Sequence, residues 1–237
     1  MKNKLILILL SGLLCFNVYA NDIYIDKVGD TLDLDIIQDG QNNKIGTSLA
    51  DADFDGDNMT FAITQTGTSN EITAVIQGAS YTGAWVFTGN NNTVDLLCDS
   101  GAAGNCETVT LNITQTGGDN AYTINIGETT DAENATINFT VTGDHNVINT
   151  DVDGTSAAIT VTMNNSTSLS TNSAGGNEGN VLDIDVAGNG DVVGHTIVLS
   201  ITGGGSSYTI NQSGVYDTNV NATFSGDNQD VDIIQRD

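Results

Sequence analysis

The feature that most constrains this chain is a segment that it repeats. From Phe61 to Gly78 the sequence reads FAITQTGTSNEITAVIQG. Phe61, Ile63 and Gln65 alternate with Ala62, Thr64 and Thr66, Gly67 and Asn70 bracket a tight arc, and Ile72, Ala74 and Ile76 resume the alternation. Alternation with period two means a strand with one buried face, so the segment predicts strand, arc, strand. A near copy, LNITQTGGDNAYTINIG, runs from Leu111 to Gly127 with Gln115, Gly117 and Asn120 at the same mutual spacing. A chain built this way is a repeat protein.

Counted from the glutamine, a repeat has apolar residues two and four before it, Gly two after, Asn five after, and apolar residues seven, nine and eleven after. Leu34, Ile36, Gln38, Gly40, Asn43, Ile45, Thr47 and Leu49 fit this ruler. So do Ile23, Ile25, Lys27, Gly29 and Leu32 with Lys27 in the glutamine place, but the second strand of that rung overlaps the first of the next, and only one phase can hold. After the Phe61 repeat, Trp85, Phe87, Gly89, Asn92, Val94 and Leu96 keep the frame with Phe87 replacing Gln. After the Leu111 repeat, Ile137, Phe139, Val141, Gly143, Asn146 and Ile148 keep it with Val141 in that place. Ile159, Val161 and Met163 begin a rung whose arc is swollen by residues 166–179 before Asn180, Leu182 and Ile184, and the Ile197 and Val220 segments finish the series. About eight strand-arc-strand rungs result, at a spacing of roughly 22 to 28 residues apart from the swollen arc, the period range of solenoids.

One rung cannot bury its own inward side chains, whereas rungs stacked about 4.8 Å apart let each inward Ile rest on the next while the backbones pair along the stack. A sandwich of hairpins or an up-and-down barrel also alternates, but neither needs Gly and Asn at a fixed offset in every unit. There is no proline, and Gly, Asn, Thr and Asp are in surplus. That polar bias suits turns, and the strict alternation argues against disorder. The expected fold is an all-β solenoid.

Residues 1–20 carry Lys2 and Lys4, an apolar run from Leu5 to Leu14 and the small-residue pattern Val18-Tyr19-Ala20, which reads as a secretory signal peptide cleaved after Ala20. Lipidation at Cys15 is disfavoured by the bulk of Leu14 before it. The solenoid domain is then 21–237, exported, with nothing later long and apolar enough to form a transmembrane helix. The whole chain has formal charge −25, and only Lys27, Lys44 and Arg236 remain as basic side chains beyond the signal. Nucleic acid is therefore not an expected partner.

Gln-x-Gly-x-x-Asn between alternating strands resembles the curlin repeat, the unit of bacterial curli amyloid subunits. Gln38, Gly40 and Asn43, Gln65, Gly67 and Asn70, and Gln115, Gly117 and Asn120 match the motif outright, while Asn92 and Asn146 match with Gly alone. Curlin repeats also carry a Ser six before the first Gln and a second Gln eleven after it. Here the Ser place holds Leu32, Met59, Val109 or Thr218, and the second Gln survives at Gln212 and Gln235. The resemblance implies a β-solenoid subunit, major or minor, that passes a dedicated outer-membrane secretion channel. It further implies a nucleating partner and self-association into extracellular fibres for adhesion and biofilm matrix. Apart from the family, Gln and Asn stacked rung over rung can bond amide to amide along the axis. The alternative for Asn is tolerance of a left-handed arc, and for Gln, filling space.

Three further constellations stand out. Asp51, Asp53, Asp55, Gly56 and Asp57 open like a calcium loop, with Ala62 where a closing bidentate Glu would stand, so calcium is a candidate cofactor and a solvated acidic turn is the alternative. Cys98 and Cys106 flank a short step and, in an exported chain, either close a disulfide or leave a buried Cys98 and a free Cys106. Thr64 and Thr66, Thr114 and Thr116, Thr140 and Thr142, Thr160 and Thr162, with Ser200 and Thr202, point outward on one edge, interrupted by Ile37, Val86 and Asn164. That array resembles the ice-contacting face of β-solenoid antifreeze proteins, and a monomeric solenoid binding ice or a surface glycan is the alternative function; Thr also simply suits an exposed strand. No catalytic site is read: His145 and His195 lie far apart, with surface or turn roles expected, and Asp183 and Asp185, like Asp33 and Asp35, read as solubilising stripes.

Overall fold

The computed structural model describes residues 22–46, 51–98, 106–127, 134–143, 145–154, 156–164, 180–187, 194–203, 206–214, 219–226 and 229–236. The signal segment and the swollen arc lie outside them. In chain order the strands begin with β1 (Asp22–Ile23), β2 (Asp26–Val28), β3 (Asp33–Asp39), β4 (Lys44–Ile45), β5 (Ala52–Asp55) and β6 (Met59–Thr66). Next come β7 (Glu71–Gln77), β8 (Ser80–Thr88), β9 (Thr93–Cys98), β10 (Thr108–Thr116), β11 (Ala121–Ile126), β12 (Asn134–Thr142) and β13 (Val147–Asp153). The series closes with β14 (Ala157–Asn164), β15 (Val181–Ala187), β16 (Thr196–Thr202), β17 (Ser207–Ser213), β18 (Asn219–Ser225) and β19 (Asp230–Arg236).

Consecutive strands do not pair. The strands before the arcs form an eight-stranded sheet from β3 to β18, and those after the arcs form an eleven-stranded sheet from β1 and β2 to β19. Every pairing is parallel and in register, as in Ile113 opposite Trp85 on one side and Phe139 on the other. Successive coils thus repeat the same two strand positions, and the chain is an all-β, parallel β-solenoid. Its core lies between the sheets. One column of inward residues runs Ile36, Ile63, Trp85, Ile113, Phe139, Val161 and Leu199, and the facing column runs Ile45, Ile72, Val94, Tyr122, Ile148, Leu182 and Tyr208, all buried. Each such aliphatic side chain contributes about 1.5–3 kcal/mol through its burial.

The competing N-terminal phases are resolved in favour of Gln38. Gln38 stands in β3 opposite Gln65, while Lys27 lies in β2 opposite Phe54, in the other sheet. A rung with Lys27 in the glutamine place does not form, because Ile23 and Ile25 serve as second-sheet residues over the coil of Ile45 and Ala52. Among the described residues no helix is long and apolar enough to cross a membrane.

Candidate functional site

The two polar columns flanking the arcs are unequal. Asn43, Asn70, Asn92, Asn120, Asn146 and Asn180 are buried one above another, and each passes its backbone N–H to the next side chain in the stack. The Asn43 N–H donates to Asn70 Oδ1 at 3.2 Å, Asn70 to Asn92 at 3.1 Å, Asn92 to Asn120 at 2.7 Å, Asn120 to Asn146 at 3.3 Å and Asn146 to Asn180 at 2.8 Å. Side-chain amides add Nδ2–H to Oδ1 bonds from Asn70 to Asn92, Asn120 to Asn146 and Asn146 to Asn180, at 3.0, 2.9 and 3.2 Å. Asn180 passes its N–H to Ser206 Oγ at 3.1 Å, so the series continues through a hydroxyl.

The ladder reading of Asn holds, and its alternative, tolerance of a left-handed arc, belongs to a different residue. Ser69, Asn91, Asp119 and His145, each immediately before the ladder asparagine, hold φ of 59°, 56°, 57° and 58°. The asparagine itself is the buried ladder member. The glutamine column, by contrast, is one step long: Gln65 Nε2 donates to Gln38 Oε1 at 2.7 Å, and then Phe87 follows. Gln115, between Phe87 and Val141, turns its amide onto the carbonyl oxygen of Gly117 at 2.8 Å. The buried Oε1 atoms of Gln65 and Gln115 accept no hydrogen bond. A second short step joins Gln235 to Gln212 at 3.1 Å.

The arcs leave no room for a side chain at their glycines. Gly67 has φ +136°, and a Cβ there would lie 1.3 Å from the carbonyl oxygen of Gly40. Gly117 has φ +124° and would meet Gly89 in the same way at 2.2 Å. Glycine is therefore required both by conformation and by the closeness of the coils.

Cys98 and Cys106 form a disulfide with Cα atoms 5.9 Å apart, closing one of the two alternatives. The acidic segment corrects another expectation. Asp53 and Asp55 lie on β5, alternating outward with buried Ala52 and Phe54, and so are spread along a strand instead of converging in a loop with Asp51 and Asp57. The side chain of Asp57 accepts the Ala79 N–H at 2.7 Å. Among the described residues no group of three or more Asp, Glu, His or Cys is placed to hold a metal. His195 is buried, and its Nδ1 accepts the Ala157 N–H at 3.1 Å, while exposed His145 lies 3.4 Å from the Asp119 carboxylate. Burial holds the phenols of Tyr81, Tyr122 and Tyr208 above their usual range, and the Glu71 carboxylate at 2.6 Å raises Lys44.

What remains chemically open is the pair of ends. Among the described residues the terminal strands β3 and β18 each pair on one side only, as does β19. At the C-terminal end Val220, Ala222, Phe224 and Val231 are only partly buried, and Ile233 and Ile234 are 42% and 39% exposed. At the N-terminal end Ile23, Ile25, Leu32 and Leu34 are partly buried, and Lys27 turns its ammonium onto the Gly29 carbonyl oxygen at 2.5 Å. Sequence alternation conceals these ends, because an inward residue of an end coil alternates in the same way as one in the middle.

Comparison with protein-family models, with curated proteins and with solved structures finds no match to this chain.

Proposed function

We propose that this chain is a secreted structural subunit of extracellular, curli-like fibres, growing as the end of one solenoid docks on the end of the next. The observation that carries this proposal is the pair of open ends, each offering, among the described residues, unpaired strand edges above a half-exposed core. A strand edge with free N–H and C=O groups is a template for another chain. Continuing the register across a junction sets Val220, Ala222 and Phe224 over Leu34, Ile36 and Gln38 of the next subunit. In the other sheet it sets Val231, Ile233 and Gln235 over Ile23, Ile25 and Lys27. Apolar side chains meet apolar ones in most of these places, and the Lys27 ammonium meets the amide of Gln235. The resemblance to curlin repeats supports the same role and brings with it an outer-membrane channel and a nucleating partner. Adhesion and biofilm matrix are the tasks such fibres serve.

Axial docking must overcome the subunit's charge, which is −27 once Lys2 and Lys4 are removed from the whole chain's −25, and that repulsion weakens as the screening length falls from roughly 30 Å at 0.01 M salt to about 8 Å at 0.15 M. Purified chain without residues 1–20, followed by light scattering and electron microscopy, should form fibres slowly in dilute buffer. Growth should be rapid in salt or near the isoelectric point of about 4.1. Phe224→Lys with Ile233→Lys should stop growth while leaving the monomer folded. Fibre-free solutions at every salt and pH, or unchanged growth of the double variant, would refute end docking.

A further inference from the structure

The two outer surfaces of the solenoid differ in a way that strand propensity does not explain. On the eleven-stranded sheet the outward positions carry Asp53, Asp55, Glu71, Asp95, Asp151, Asp183, Asp185, Asp230 and Asp232. On the eight-stranded sheet acids occur outward only on β3, as Asp33, Asp35 and Asp39; from β6 through β18 no outward side chain is ionisable. Both surfaces are exposed parallel sheet in one chain of charge −25, so the acidic sheet is an internal control for the neutral one.

Three columns of hydroxyls run along the neutral surface. Thr60, Thr82, Thr110 and Thr136 form one, resuming at Thr196. Thr114, Thr140, Thr162, Ser200 and Thr223 form the second, with Thr64 below Val86. Thr66, Thr88, Thr116 and Thr142 form the third, which passes Asn164 and continues to Thr202 and Ser225. The register corrects the sequence pairing of this array: Thr162 stands over Thr140 and Asn164 over Thr142, and Thr160 lies one place further in, over Asn138. The columns repeat about every 4.8 Å along the stack and stand roughly 6.6 Å apart where they are two residues apart along a strand.

We infer that this threonine face, β6 to β18, binds an ice surface. Its hydroxyls must keep hydrogen-bond partners, and a dry partner surface would strip them without replacement. A second copy of the same face could pair hydroxyl with hydroxyl only where its columns fall opposite, would leave the outward Ala and Val between them against no larger apolar partner, and would have no aromatic anchors to offset the lost water. Ice offers a partner to each hydroxyl, is periodic as the columns are, leaves the methyl groups to lie between waters, and gains nothing from charge. Absence of ionised side chains keeps the adjoining water from being ordered around ions. The inference is independent of end docking, since the face lies parallel to the axis and away from both ends.

The test uses the chain without residues 1–20 in dilute buffer, where fibre growth is slow. Fluorescently labelled protein should be taken up into a slowly growing ice hemisphere and should suppress recrystallisation. Thr114→Lys with Thr140→Lys should lower that uptake by at least tenfold with an unchanged circular dichroism melt, whereas Thr93→Lys on the acidic sheet should not. Exclusion of the wild-type chain from ice overturns the inference whether or not the variants fold. Equal uptake of the threonine-face and Thr93→Lys variants also overturns it, as does loss of uptake together with salt-independent pairing of the wild type, which would assign the face to a second copy. Fibre growth in salt is read in parallel, so failure on ice and failure to polymerise are separate results.

Discussion

Asparagine on one side of each arc and glutamine on the other are both amides, both inward and both buried, yet only the asparagines form a continuous series. The shorter Asn side chain stands where the chain leaves the arc, and its oxygen reaches the main-chain N–H of the neighbouring asparagine. Glutamine stands within a strand whose N–H and C=O groups are already paired in the sheet, so its amide turns to another glutamine, as Gln65 does to Gln38, or to a carbonyl oxygen of the arc, as Gln115 does to Gly117, and carries no series from coil to coil. The replacements follow from this. Ser206 in an asparagine place still accepts an N–H, and Gln229 in another donates to the Gly203 carbonyl oxygen at 2.7 Å. Glutamine places are filled by Phe87, Val141, Met163, Ile201 and Phe224, which need no partner. A buried polar column persists where it serves the main chain and lapses where it serves itself.

Substitutions can break or sharpen this contrast. Gly67→Val should have the largest effect, because the arc that holds both columns cannot open without separating the coil from that of Gly40. Left-handed strain and overpacking together predict a loss of at least about 3 kcal/mol, measured by urea unfolding. Asn120→Ala removes the acceptor of the Asn92 N–H at 2.7 Å and leaves it buried, so about 2 kcal/mol should be lost. Gln115→Leu should sit within about 0.5 kcal/mol of wild type or gain slightly, since it removes a buried oxygen without an acceptor bond and rests between Phe87 and Val141. Equal losses at Asn120 and Gln115 would remove the distinction between the columns.

Much of the coil was legible in the sequence because period-two alternation and a Gly at fixed offset both report local geometry that stacking then repeats. Phe61 to Gly78 folds as its residues indicate, with β6, the arc and β7 in the expected places. The N-terminal phase was not legible, since Ile23, Ile25 and Lys27 alternate in the same way in either sheet and only pairing with Ile45 and Phe54 decides. The acidic run misleads for a related reason: Asp-x-Asp-x-Asp spaces ligands for a calcium loop and equally spaces the outward positions of a strand, and buried Ala52 and Phe54 select the strand. For Asn the sequence left the amide ladder and the left-handed arc both open, and the structure gives the left-handed angle to the residue before it and the ladder to the Asn side chain. The neutral surface needed the register, because the hydroxyl columns join residues from strands far apart in sequence.

Cryo-electron microscopy of fibres grown in salt would test end docking most directly, by showing what lies against each terminal strand. End docking predicts intact solenoids in axial series, with β18 beside β3 of the next subunit, Phe224 over Gln38, and β19 beside β1 and β2. Fibres whose subunits touch through their sheet faces, or whose strands have abandoned the pairing of the monomer, would contradict it.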